Sequence, residues 1–179
     1  RLSVEQVESY ERDGFLAPVR VASPDEAAAW RRELEDAECK HGRLHYVSKA
    51  HLLLDFAYRL ATHSSVLDTV SSIIGPDILL WDSTFIIKEP GDGKKVSWHQ
   101  DLTYWGLDPD DVVSLWLALS QATIESGCMV MIPGSHKGPI AAHHDSRASD
   151  NILSRGQTIA EPIDESRARH VVLAPGELS

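Results

Sequence analysis

The sequence contains no run of eighteen apolar residues, so no segment has the pattern of a membrane-spanning helix. Its first residues, "RLSVEQVESYERDGF", lack the apolar core of a secretory signal and read as a helix instead. Cysteine is scarce. Cys39 and Cys128 form neither a metal-ligand spacing nor a disulfide framework, so a reducing cytoplasm is the expected compartment. Basic blocks are missing as well. The formal net charge is −10, and the nearest approach to a cationic cluster, Arg31-Arg32, has acids on both sides and reads as a solvated helix face. That charge pattern argues against a nucleic-acid partner. Internal repeats and low-complexity segments are absent too. What remains is a 179-residue chain with 42% hydrophobic residues, enough for one domain with a real core.

Helices dominate the first 75 residues. Ser3 and Gln6 form a capping box that opens a short helix, and Gly14 closes it. In "SPDEAAAWRRELEDAECKHG", Ser23 is the N-cap, Pro24 takes the first helical position, Glu26 completes the box and Gly42 follows the end. A third helical region spans about Leu52 to Ile74, broken near His63-Ser64 and ended by Gly75-Pro76. After Pro76 the texture changes to short runs rich in β-branched and aromatic residues: "ILLWDSTFIIK", "VSWHQD", "VVSLWLAL", "CMVMI" and "HVVLA". Helices followed by consecutive short strands predict an α+β chain, a helical flank over 1–75 and an antiparallel sandwich or jelly roll over 76–179. The polar, patternless stretch 141–168 is expected to be a loop or insertion.

"VSWHQDLTY", residues 96–104, carries the chemistry. Successive side chains of a strand point to opposite faces, so His99 and Asp101 share one face and set an imidazole beside a carboxylate. The spacing alone decides little, because the chain has it twice. His143-His144-Asp145 lies in "AAHHDSRASD", with no strand period around it, and reads as a surface coincidence. His99-Gln100-Asp101 follows Trp98 and leads into Tyr104 and Trp105, surroundings that suit a partly enclosed pocket as well as plain packing.

"WHQD", "DPDDVVSLWLAL" and "SGCMVMIPGSHKGPI", in that order, resemble the phytanoyl-CoA dioxygenase family of Fe(II)/2-oxoglutarate oxygenases. The likeness runs upstream through "KAHLLLDFAYRLATHSSVLDTVSSIIGPDILL" and "IIKEPGDGKK" and covers most of the chain. It implies a double-stranded β-helix, a cupin-like jelly roll with flanking N-terminal helices. It implies that His99 and Asp101 are two ligands of a 2-His-1-carboxylate triad, leaving the opposite face of the metal open for 2-oxoglutarate and O₂. The third ligand and an arginine for the far carboxylate of 2-oxoglutarate are expected beyond Ser179, with the strands that complete the roll. His170 precedes the relevant turn and His136 belongs to the "PGSHKG" turn, so neither is the expected substitute.

The same resemblance points to Lys49, Thr84 and Trp116 as contacts of the dianionic cosubstrate. Read without it, Lys49 is a solvated loop lysine and Trp116 a core aromatic. Gln100 falls between the two ligands and faces away from the metal in a regular strand, although local twist brings its backbone or amide toward the pocket. Lys88, Lys94 and Lys95 decorate a loop rim; Cys128 and Met129 are core. The implied reaction is hydroxylation of an unactivated carbon of a small molecule with release of succinate and CO₂. Halogenating relatives carry a small residue where Asp101 stands, which favours hydroxylation. Two other classes compete: a non-catalytic jelly-roll binding module, and a cupin-type metalloenzyme that does not use 2-oxoglutarate. The substrate is left open, its choice resting with loops 102–111 and 141–168.

Overall fold

The computed structural model describes residues 1–107, 111–146, 148–153 and 155–179. Helix α1 (Val4–Asp13) opens on Ser3, whose hydroxyl accepts from the Gln6 N–H while Gln6 accepts from the Ser3 N–H, and Gly14 closes it in the left-handed conformation. Strand β1 (Val19–Arg20) follows, then α2 (Pro24–His41), capped reciprocally by Ser23 and Glu26 with Pro24 in its first turn. Each such cap is worth about 1 kcal/mol. The third helical region is α3 (Ala50–Leu53), α4 (Asp55–Ala61) and α5 (Ser64–Ile74). The break at His63 is where the sequence placed it. A second falls at Leu54, whose extended backbone lets it pack beside Phe56 on the cluster Leu34, Ala37 and Leu44.

The remaining elements are α6 (Leu102–Trp105), β2 (Met129–Met131), β3 (His143–Asp145), β4 (Gln157–Ile159), β5 (Arg169–Val171) and β6 (Glu177–Leu178). They make three antiparallel pairs: β1 with β6 (Val19 opposite Leu178), β2 with β5 (Val130 opposite His170), and β3 with β4 (His144 opposite Thr158). The chain is therefore mixed helix and strand, and β1 is a strand within the helical flank. Residues 116–122 run beside 173–179: Trp116 and Ser179 exchange backbone bonds of 2.9 and 3.0 Å, and Ala122 and Leu173 exchange 2.9 and 3.1 Å. Around this seam sit Ala118, Ala122, Cys128, Val171 and Leu173, all buried, with Trp116, Met129 and Met131 against them. Gly176 turns the chain there with φ +82; a Cβ would come 2.4 Å from the Ala22 carbonyl oxygen, so only glycine fits.

Two expectations are corrected. The stretches 78–88, 96–101 and 112–119 contain no regular ladder. Isolated bridges touch or adjoin them, His45–Phe85, Lys95–Asn151 and Leu117–Leu178, the last within the backbone seam to 173–179; Asp101 already has helical backbone at the start of α6. Conversely, the stretch 141–168 is not a free loop, for β3 and β4 form a hairpin inside it. Its strands lack an apolar period because backbone bonds, not a buried face, hold the hairpin against the preceding chain. Lys95 N–H donates to Asp150 O (2.8 Å), Ile152 N–H to Lys95 O (2.9 Å) and Ile159 N–H to Trp98 O (2.8 Å). Of the two predicted substrate-facing loops, residues 108–110, 147 and 154 lie outside the described residues.

Candidate metal centre

The residues Lys95 to Asp101 are strapped to the hairpin along one side. Beyond the backbone bonds, the Ser97 hydroxyl donates to Gln157 O and accepts from Asn151 Nδ2, and Trp98 Nε1–H donates to Glu165 Oε1 at 2.9 Å. The other side is left to the side chains of His99 and Asp101. His99 Nδ1 lies 2.8 Å from the Ser97 carbonyl oxygen, which can only accept, so Nδ1 carries a hydrogen. Nε2 then points at Asp101 Oδ1, 3.1 Å away. In the neutral imidazole these are two lone pairs facing each other, an arrangement that requires a cation, either a proton on Nε2 or a metal ion between the donors.

The electrostatics agree. Burial opposes the imidazolium of His99, but the hydrogen bonds to Asp101 and to Ser97 O outweigh it and raise its pKa. Burial likewise opposes ionisation of Asp101, yet hydrogen bonds from His99 and Ser114 bring its pKa below the ordinary value. The Ser114 hydroxyl donates to Asp101 Oδ2 at 2.8 Å, which fixes the carboxylate and keeps Oδ1 toward the histidine. One imidazole nitrogen and one carboxylate oxygen suit a divalent first-row metal. Two donors bonded to such an ion at about 2.1 Å in neighbouring positions stand about 3.0 Å apart, so the 3.1 Å separation of the pair is compatible with one. Among the described residues no group of three or more His, Cys, Asp and Glu converges. His170 stands 3.9 Å from Cys128 Sγ on β5, and His136 is 3.1 Å from Glu11 O against α1, so both are engaged elsewhere.

Gln100, between the donors, turns its side chain to the hairpin, where Oε1 accepts from Ala141 N–H at 2.8 Å. Lys49 is exposed. Its ammonium lies over the Trp81 ring at 4.7 Å, and its backbone has φ +57, unusual for a residue with a side chain. Asp82 stabilises that conformation by accepting from the Lys49 N–H, the Ser48 hydroxyl and the Ser83 N–H. Thr84 is exposed on the adjoining segment, which is tied to α3 by Ala50 N–H to Ser83 O at 2.9 Å. Trp116 is half-buried on the Ala118–Leu173 cluster, two residues after Ser114. Sequence reasoning passed over two participants: Ser114, and His143, which it read as part of a surface coincidence. Burial, and after it the charge of Asp101, push the Tyr46 phenol up. Only the His-x-Asp spacing of 143–145 offered a signal.

The family model described as Phytanoyl-CoA dioxygenase (PhyH) matches residues 10–178. The chain is similar to the peroxisomal phytanoyl-CoA dioxygenase of Bos taurus, 29% identical over 205 residues, covering 98% of this chain and 60% of that protein. It thus spans about 60% of the length of that curated relative. Among solved structures it resembles the non-heme monooxygenase ThoJ in its apo form, with a TM-score of 0.80 at 31% identity, covering 97% of this chain and 66% of that one. It also resembles CytC3 with Fe(II) and alpha-ketoglutarate, with a TM-score of 0.63 at 27% identity, covering 99% of this chain and 66% of the other. No helix of the described residues is long and apolar enough to cross a membrane. With a family model matched along nearly its whole length, the chain belongs to the phytanoyl-CoA dioxygenase (PhyH) family.

Proposed function

We propose that the protein is an Fe(II)- and 2-oxoglutarate-dependent dioxygenase that hydroxylates an unactivated carbon of a small-molecule substrate. One atom of O₂ enters the product and the other enters succinate, with CO₂ released from the keto acid. The observation that carries this reading is the approach of His99 Nε2 and Asp101 Oδ1 to 3.1 Å. Family membership and the likeness to CytC3 with Fe(II) and alpha-ketoglutarate support it. Its strands then belong to a double-stranded β-helix, in one domain flanked by the helices of residues 1–75. Two free cysteines, one of them exposed, accord with a reducing cytoplasm.

When bound, iron and 2-oxoglutarate supply the oxygen chemistry; the chain supplies placement. His99 is oriented by Ser97 O and Asp101 by Ser114, so both donors present one fixed atom each. Asp101 holds the position that a small residue would leave to a halide, which favours hydroxylation. Lys49, on a backbone anchored by Asp82, offers an exposed ammonium to a cosubstrate carboxylate, with Thr84 and Trp116 as the other contacts, while the Gln100 side chain, held by Ala141 N–H on the hairpin side, serves the loop instead. The test is anaerobic titration of the complete polypeptide with Fe(II) and then 2-oxoglutarate, followed by a substrate screen for succinate release in air. Iron-dependent succinate formation is the expected result. Failure to bind Fe(II), or an oxidation indifferent to 2-oxoglutarate, would overturn the proposal.

A further inference from the structure

The hairpin touches the metal loop at one residue from two directions. Ala141 N–H donates to the Gln100 side chain at 2.8 Å, and the Gln100 backbone N–H donates to His143 Nε2 at 2.9 Å. His143 Nδ1 lies 2.7 Å from the Ala141 carbonyl oxygen, so Nδ1 carries the hydrogen and Nε2 is left as the acceptor. The ring is further fixed by Tyr104, which packs edge-on against it at 5.6 Å.

We propose, on the reading that His99 and Asp101 are metal ligands, that His143 is a positioning residue of the centre. Its Nε2 fixes the His99–Gln100 peptide, the first of the two that separate the donors. In a sheet, register would decide that His99 and Asp101 share a side. Here the stretch 96–101 is in no ladder, so that work falls to something else. The bond from Gln100 to His143 sets the orientation of the His99–Gln100 peptide, and with it the angle between the side chains of the two donors. Donors placed loosely cost metal affinity and geometry, and outer partners of ligands typically matter by ten- to a hundredfold.

The first test is the imidazole tautomer in the metal-free complete polypeptide, read by long-range proton–nitrogen NMR. His143 is expected as the Nδ1–H tautomer with Nε2 accepting; an Nε2–H tautomer overturns the proposal, whether or not any variant folds. The second test is Fe(II) affinity by anaerobic equilibrium dialysis for wild type, His143→Leu, His143→Gln and the neighbouring exposed His144→Leu. We expect an affinity loss of about tenfold in His143→Leu. His143→Gln should recover part of it, because its amide oxygen can reach the place of Nε2, and His144→Leu should match wild type. No loss in His143→Leu, or equal losses in His143→Leu and His144→Leu, overturns the role. A wild-type protein that binds no Fe(II) refutes the dioxygenase reading as well, a failure recognisable because it precedes any substitution.

Discussion

The two His-x-Asp triplets share a spacing and a first hydrogen bond, and they differ in what meets the second nitrogen. In each, Nδ1 faces the carbonyl two residues back: Ser97 O at 2.8 Å for His99, Ala141 O at 2.7 Å for His143. Both rings are thereby set in the same tautomer. At His99 the free nitrogen meets a carboxylate oxygen, so the site demands a cation. At His143 it meets a backbone N–H and is already satisfied. The carboxylates diverge too. Asp101 is held by Ser114, whereas Asp145 is half-exposed with Arg155 Nε 3.9 Å away, at the limit of an ion pair. A triplet is therefore not a ligand pair by composition; the group opposite the second imidazole nitrogen decides.

The largest expected effect tests that distinction directly. In the complete polypeptide, His99→Ala or Asp101→Ala should lower Fe(II)-dependent turnover by at least about a hundredfold, since on the proposed assignment each removes a metal bond. Asp145→Ala should leave it within about twofold, as an exposed pair of this kind contributes little. Succinate release under saturating substrate reads both. Loss of turnover in Asp145→Ala with activity retained in Asp101→Ala would reverse the assignment of the two triplets.

Should the first triplet hold the metal, the cosubstrate has to lie beside it. Lys49→Ala is expected to raise the 2-oxoglutarate concentration needed for half-maximal rate about tenfold, and the substrate requirement by much less. Asp82→Ala, which frees the Lys49 N–H, the Ser48 hydroxyl and the Ser83 N–H, should act in the same direction by relaxing the left-handed backbone at Lys49. An unchanged 2-oxoglutarate dependence in Lys49→Ala would return that lysine to an ordinary surface role, over the Trp81 ring.

What could be read from sequence follows from the range of each interaction. The capping boxes at Ser3 and Ser23 act over three residues, so their sequence signatures are complete and the structure repeats them. The first triplet was legible because its aromatic surroundings and the later "IPGSHKG" turn are local patterns. The hairpin of β3 and β4 was not. Its fastenings join Lys95 to Asp150 and Ile152, and Trp98 to Ile159, through backbone atoms that every residue possesses. Nor did any pattern link Ser114 to Asp101, or His143 to Gln100, 43 residues apart. Strand runs such as 78–88 have strand composition but, among the described residues, only one bridging pair, Phe85 with His45. Composition records what a segment tolerates; pairing depends on which partner arrives.

The hairpin that carries the second triplet can be loosened without touching either histidine. Gly156 has φ +65, and a Cβ there would come 1.8 Å from the Ser146 carbonyl oxygen, across a turn where Ser146 N–H donates to Gly156 O at 2.9 Å. Gly156→Ala should therefore destabilise the fold by roughly 1–3 kcal/mol in urea unfolding. It should also speed hydrogen exchange at the Gln100 amide, because the acceptor of that amide rides on β3. Normal exchange at Gln100 alongside lost stability would uncouple the hairpin from the segment 96–101.

The smallest effect concerns the ring between the two triplets. Tyr104 starts three residues after Asp101, donates its N–H to Asp101 O at 3.0 Å, and meets the His143 ring edge-on at 5.6 Å. The Arg155 guanidinium lies over the same phenol at 4.7 Å. Those contacts belong to the ring, whereas the hydroxyl is buried with no hydrogen-bond partner among the described residues. A buried unsatisfied hydroxyl costs about 1–3 kcal/mol relative to a solvated one, and removing it abolishes that cost while leaving the ring in place. Tyr104→Phe is accordingly expected to match wild type or gain up to about 1 kcal/mol in urea unfolding. Tyr104→Leu, which deletes the faces that meet His143 and Arg155, should instead lose stability, as large-to-small core changes do. Destabilisation of Tyr104→Phe by more than about 1 kcal/mol would show that the hydroxyl has a partner, and that the space between the triplets is wetter than the packing indicates.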